Sequence, residues 1–251
     1  MGKVALVTGA GKRIGRAIAL ALAEDGFDVA VHYSSSRADA EAVVAAITAK
    51  GRRAVALAAD LVREDETLAL MPAAAKALGP VTCLVNNASL FERDEALTVT
   101  RASWDAHLAI NLRAPFVLMQ EFARNLPERE SGTIVNILDE RVWNLTPHFV
   151  SYTLSKAGLW TLTQAMAMAM APKIRVNAIG PGPTLPSARQ SAEQFARQSA
   201  SVPLQRGAAP EEIASAVRFI IGAASMTGQM IALDGGQHLG WAQPNVAPHP
   251  E

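Results

Sequence analysis

Seven short apolar runs alternate with longer segments of helical periodicity, and that alternation leaves few folds open. The runs are VALVT (4–8), FDVAVHY (27–33), RAVALAAD (53–60), VTCLVNNAS (81–89), TIVNILD (133–139), IRVNAI (174–179) and MIALD (230–234). Between them lie RAIALALAED, ADAEAVVAAITAK and helical patterns at 64–78, about 101–125, 152–171 and 211–221. Strands apolar on both faces sit inside a parallel sheet that helices cover on each side. Ligands of such sheets bind beyond the strand C-terminal ends. Gly9, Asp60, Asn87, Asp139 and Pro181 stand at those ends and are expected to meet along one rim. No internal repeat and no interdomain linker interrupts the pattern.

The first run leads into GAGKRIG and then a helix. Glycine lets backbone approach a pyrophosphate, and a helix N-terminus attracts its charge. The glycines fall at Gly9, Gly11 and Gly15, which is not the G-x-G-x-x-G spacing. An ordinary tight turn remains the alternative. The second run ends in His32-Tyr33-Ser34-Ser35-Ser36-Arg37, with no acid before Asp39. An NAD enzyme usually carries an acid there for the ribose diol. Hydroxyls and a guanidinium, with Arg13 in the glycine turn, suit a 2′-phosphate instead, so NADP(H) is expected. Ser36-x-x-Asp39 also reads as a helix N-cap, and both roles can hold.

Asp139 to Lys156 gathers an acid, a phenol and an amine. Tyr152 and Lys156 are one helical turn apart on one face. An ammonium beside a phenol favours phenolate, so the Tyr152 pKa is expected to fall and the group to exchange protons near neutrality. Pro115 lacks the N–H that would bond the Asn111 carbonyl. The result is either a simple kink or a carbonyl free to hold a water near the site.

Composition narrows the function classes. Formal net charge is zero over 251 residues, so no nucleic-acid or anionic-membrane partner is indicated. The single cysteine, Cys83, reads as a packing residue, and a reducing, cytoplasmic setting is expected. No run reaches the ~20 apolar residues of a membrane span, and no secretory leader is recognisable. The methionines read as packing, and no metal is expected. The charge-free stretch AGLWTLTQAMAMAMA should be buried on two sides, by the sheet and by a second subunit. Residues 187–201 show little apolar pattern and are read as part of a mobile lid spanning about 183–203. The domain is expected over 1–236, with a tail at 237–251. Its His238 to Trp241 portion is expected at a subunit contact, because Trp241 stands in an otherwise polar terminus.

From Lys3 to Gly236 the chain resembles the short-chain dehydrogenase/reductase family. The resemblance rests on TGAGKRIG, NNAS, Asn111, Tyr152-x-x-x-Lys156 and Pro181-Gly182 with Thr184. It implies a single-domain Rossmann-type, doubly wound, seven-stranded α/β fold, a bound NAD(P) and a homotetramer. It places the cofactor along Gly9, Lys12, Arg13, Ile14 and Gly15, then His32, Tyr33, Ser34, Ser35 and Ser36. Asp60, Leu61, Asn87, Ala88, Ser89, Asn111, Pro181, Gly182 and Thr184 complete that set. Tyr152 would donate the proton, Lys156 would hold the nicotinamide ribose, and the Asn111 carbonyl would anchor a water.

Two departures refine the resemblance. Asp139 stands where most members have serine, and Arg13 where most have glycine. With HYSSS and NNASLF they are similar to pteridine and bacterial dihydropterin reductases. That group implies an Asp139–Tyr152 proton relay to a ring nitrogen, with Arg13, Ser89 and Phe91 against the pterin. Asp139 could instead serve as an ion-pair partner of Arg141 or Lys156, and Phe91 as a plain hydrophobic plug. The other readings are an NADPH carbonyl reductase acting on 3-oxoacyl thioesters or a small ketone, and a nucleotide-binding regulator without turnover.

Overall fold

A computed structural model describes residues 2–187 and 189–240 of the chain. Among them, β1 (Val4–Val7), β2 (Asp28–Tyr33), β3 (Ala54–Ala58), β4 (Cys83–Asn86), β5 (Gly132–Ile137), β6 (Ile174–Pro181) and β7 (Met230–Leu233) form one sheet. All its pairings are parallel, in the order β3-β2-β1-β4-β5-β6-β7. The order reverses between β1 and β4, which opens a crevice at their C-terminal ends. Successive side chains on a strand point to opposite faces. Val4 and Leu6 therefore enter one core and Ala5 and Val7 the other. Helices α1 (Arg13–Glu24), α2 (Arg37–Ala49) and α8 (Pro210–Gly222) cover the second face. Helices α3 (Glu64–Leu78), α5 (Ala114–Asn125) and α6 (Val150–Met170) cover the first. The fold class is the expected one, although several strands stop short of their apolar runs. The polar ends, such as Asn87 to Ser89, turn out of the sheet to form the rim.

Two local expectations change. The pattern read as one helix is α4 (Arg101–Leu108), a π-helical turn at Ala109–Arg113, and α5. Pro115 follows that turn. Losing the proline N–H breaks the regular ladder, and a wider turn absorbs the break. In the region read as a patternless lid, α7 (Ala192–Ala200) is capped reciprocally by Ser191 and Gln194. That capping-box spacing was present in the sequence. The charge-free stretch of α6 after Lys156 buries only one side within this chain: Leu159, Thr163 and Ala167 face inward, while Met168 is 78% exposed. Past β7, Gln237–Leu239 form a short turn whose His238 ring meets Trp143 of the same chain at 5.4 Å. Trp241 lies outside the described residues. Among the described residues no helix is long and apolar enough to cross a membrane.

Candidate active site

The β1–α1 turn is held by side chains from neighbouring strands. Asn87 donates to the Thr8 carbonyl (2.8 Å) and the Gly9 carbonyl (3.2 Å). The Thr8 hydroxyl accepts from the Asn87 and Ala88 amides. Gly9 takes φ +61°, and a Cβ at Gly15 would stand 2.3 Å from the Gly9 carbonyl oxygen. Only glycine fits Gly15, and the bare turn leaves room for a pyrophosphate. His32 is buried behind the turn. Its Nδ1 accepts from the Gly9 amide (3.0 Å), and its Nε2 lies 3.1 Å from the Ala59 carbonyl. These partners assign a neutral ring protonated on Nε2. Burial pushes its pKa below the usual 6.5.

His32 therefore shapes the turn and does not line the cleft. Below about 6.5 the unfolded chain takes up this proton before the folded one does, so the contribution is lost as pH falls. The stability difference between wild type and His32→Gln is expected to shrink from pH 7 to pH 5 in urea titrations. A constant difference would reject the assignment. Asp60 and Leu61 also lie off the cleft: Asp60 accepts from the Val62 amide, and Leu61 joins the core.

In front of the turn is a cleft of about 470 Å³. The end beside the turn is walled by Gly9, Lys12, Arg13, Ile14 and Gly15, and by Tyr33 with Ser34, Ser35 and Ser36. Lys12 pairs with Asp39 at 3.0 Å. Arg13 has φ 53° and reaches across the mouth to the Pro186 (2.8 Å) and Leu185 (3.1 Å) carbonyls. Asn87, Ala88, Ser89, Pro181, Gly182 and Thr184 continue the wall, as does Gly11 of the glycine turn. Hydroxyls and cations without an acid at the end of β2 are a donor set that fits a 2′-phosphate.

At the other end the Tyr152 hydroxyl donates to Asp139 Oδ2 at 2.7 Å. Asp139 Oδ1 accepts from the Arg141 amide at 2.9 Å and stands 3.8 Å from Arg141 Nε. Lys156 Nζ donates to the Ile137 carbonyl (2.8 Å) and lies 5.9 Å from the Tyr152 ring centroid. The expected fall in the Tyr152 pKa does not occur. Burial, and then the charge and hydrogen bond of Asp139, push it well above 10. Sequence spacing pointed to the lysine, but the carboxylate touches the phenol and the amine does not. Burial lowers Lys156 to about 8. Asn111 is buried off the cleft. Its side chain bonds the Leu90 backbone on both sides (2.8 and 2.9 Å) and the Ser155 hydroxyl (3.0 Å), tying the NNAS loop to α6.

Phe91 stacks on Phe149 with centroids 4.6 Å apart and planes at 7°, and meets Tyr152 edge-on at 4.7 Å. Phe149 caps α6 with a left-handed φ of 58°, an unusual backbone for an aromatic residue. A buried network holds it there. The Asp94 carbonyl accepts the Phe149 amide (2.8 Å), and the Asp94 carboxylate accepts Ser151 N–H and Oγ–H and Ser103 Oγ–H. His107 adds contacts to Ser151 Oγ (2.7 Å) and the Glu92 amide (3.1 Å). Burial opposes the Asp94 charge, yet the bonds from Ser151 and Ser103 hold its pKa below the usual range. Residues 92–94, next to Phe91, and 149–151, next to Tyr152, are thus fixed to each other. Sequence reasoning missed Phe149, Asp94, His107 and Ser151. The bonds of Ser151 to His107 and Asp94 span 44 and 57 positions, and no local pattern marks them.

Comparison with known proteins matches residues 3–197 to the family model for short chain dehydrogenases. A solved structure of FolM alternative dihydrofolate reductase 1 from Brucella suis, in complex with NADP, superposes with a TM-score of 0.93 at 48% identity over 98% of each chain. An uncharacterized oxidoreductase of Methylorubrum extorquens is 37% identical over 94% of this chain and 97% of its own length. The 3-oxoacyl-[acyl-carrier-protein] reductase FabG of Staphylococcus epidermidis is 34% identical over 95% of this chain and all of its own.

Proposed function

The chain belongs to the short chain dehydrogenase family, and we propose that within it the protein reduces a pterin-type C=N bond. It is an oxidoreductase, and its cofactor is NADP(H). When bound, the reduced dinucleotide supplies the hydride to the ring carbon. The observation that carries the reading is the hydrogen bond from Tyr152 to Asp139. Hydride addition to C=N leaves a strongly basic nitrogen, which needs one proton. Tyr152, like an ordinary phenol, is protonated through the neutral range, and burial keeps it so, so it has that proton to give. The phenol is 5% exposed, while the Asp139 side chain keeps 19%. The carboxyl is thus the partner nearer solvent and can return a proton to the phenolate. Asn111 bonds Ser155, whose hydroxyl donates to the Tyr152 carbonyl at 2.6 Å, and this steadies the turn that carries the phenol. The Phe91–Phe149 stack offers an aromatic wall for a flat polar heterocycle.

Carbonyl reduction is the second reading, supported by the similarity to FabG. A thioester ketone has no evident use for the Asp139 carboxyl or the aromatic wall. The exposed Leu154 and Met168 on α6 support assembly with further copies of the chain, as a tetramer. The test follows NADPH oxidation with dihydrobiopterin, dihydrofolate and an acetoacetyl thioester. A dihydropterin is expected to show kcat/KM at least about tenfold above the thioester, a specificity of the size one well-placed polar site gives. Turnover of the thioester alone would overturn the pterin reading.

A further inference from the structure

The cleft contains five cationic side chains: Lys12 and Arg13 stand at the glycine turn, and Lys156 and Arg141 are buried. Lys12 pairs with Asp39, Arg13 holds the Leu185 and Pro186 carbonyls, Lys156 is buried on the Ile137 carbonyl, and Arg141 is buried beside Asp139. Arg189 differs. It stands at the substrate end, its guanidinium 5.4 Å from the Phe91 ring centroid and 5.9 Å from that of Phe149. One nitrogen donates to the Phe91 carbonyl at 2.9 Å, and the other pairs with Glu92. The Glu92 side chain is 61% exposed and Arg189 is 35% exposed. An ion pair with so exposed a partner contributes little, and solvent readily takes the carboxylate back.

Resting on the pterin reading, we propose that Arg189 is an anion subsite that takes the carboxylate of a substrate tail in exchange for Glu92. The flat ring would lie along the aromatic wall, and its substituent would leave toward the opening that Arg189 borders. A guanidinium anchored on a backbone carbonyl and resting on two rings keeps its orientation when Glu92 leaves. It then presents a fork suited to a carboxylate. Arg189 would accordingly discriminate among dihydropterins by the charge of the tail, favouring an acidic aryl-glutamate tail over a short neutral one. Glu92 has a second effect: it competes for the guanidinium and repels the incoming carboxylate.

The test compares dihydrofolate with dihydrobiopterin, whose tail is uncharged, in the full-length protein. Arg189→Gln is expected to lower the ratio of kcat/KM for dihydrofolate to that for dihydrobiopterin by about tenfold, mainly through KM for dihydrofolate. Glu92→Gln is expected to move the same ratio the other way by about two- to threefold. Its readout stands if Arg189→Gln fails to fold. Equal effects on both substrates, or a fall in the ratio with Glu92→Gln, would overturn the subsite and leave the pterin reading intact. Wild-type protein that reduces neither pterin removes that reading and the subsite with it.

Discussion

Tyr152→Phe is expected to lower kcat for the dihydropterin by about two to four orders of magnitude. The affinity for NADPH should stay within about threefold. The ring remains, so its edge contact with Phe91 at 4.7 Å and its packing on α6 survive. What disappears is the hydroxyl that donates to Asp139 at 2.7 Å. General acid catalysis contributes a factor of this size when the donor is positioned and its removal leaves only water. Rapid mixing with saturating NADPH separates the chemical step from binding, and fluorescence titration gives the cofactor affinity. A loss of kcat below about threefold would mean that the proton reaches nitrogen by a route without the phenol, and Tyr152 would not be the acid.

Asp139→Ser is expected to reduce dihydropterin turnover by about a hundredfold, the lower range for a lost acid–base partner. NADPH affinity should change by less than about threefold, because Asp139 lines the cleft beside Tyr152 and makes no bond to the glycine turn. Two side effects can be separated with Asp139→Asn. First, Asp139 Oδ1 caps the short turn at Glu140–Val142 by accepting the Arg141 amide. Asparagine keeps that acceptor, so its melting temperature should fall less than that of the serine variant. Second, the Asp139 charge raises the Tyr152 pKa. Removing the charge lowers that pKa, so the alkaline limb of the kcat profile should move to lower pH in both variants. Equal loss of turnover and cofactor binding, with a lower melting temperature, would assign Asp139 a purely structural role.

Much of this architecture was legible because it is written locally. Seven apolar runs between helical patterns dictate a parallel sheet, and Tyr152 and Lys156 share a helix face by spacing alone. The serines after β2 could be read as phosphate donors from composition at one strand end. Contacts between distant segments were not legible. The sequence suggested that Lys156 would tune the phenol, whereas burial and Asp139 dominate, and burial is a property of the assembled fold. His32 stood beside plausible cofactor contacts, but the inward pleat of β2 turns it under the glycine turn. The left-handed Phe149 has no turn-forming residue at its position, so only the Asp94 network explains it. The α7 cap at Ser191 was readable and passed over, since the segment lacks the apolar stripe that normally draws attention to a helix.

The uniform direction of the strands has a consequence for how such a chain can change. The carboxyl ends of β1, β2, β4, β5 and β6 border the cleft, and the opposite edge carries a separate set of anchors. There Asp28 receives Arg52 and Arg53, and Arg175 reaches the Met226 and Ile221 carbonyls. Foldedness and chemistry are therefore drawn from opposite poles of one molecule. Loops at one pole can be rewritten for a new substrate while the other pole goes on holding the chain together.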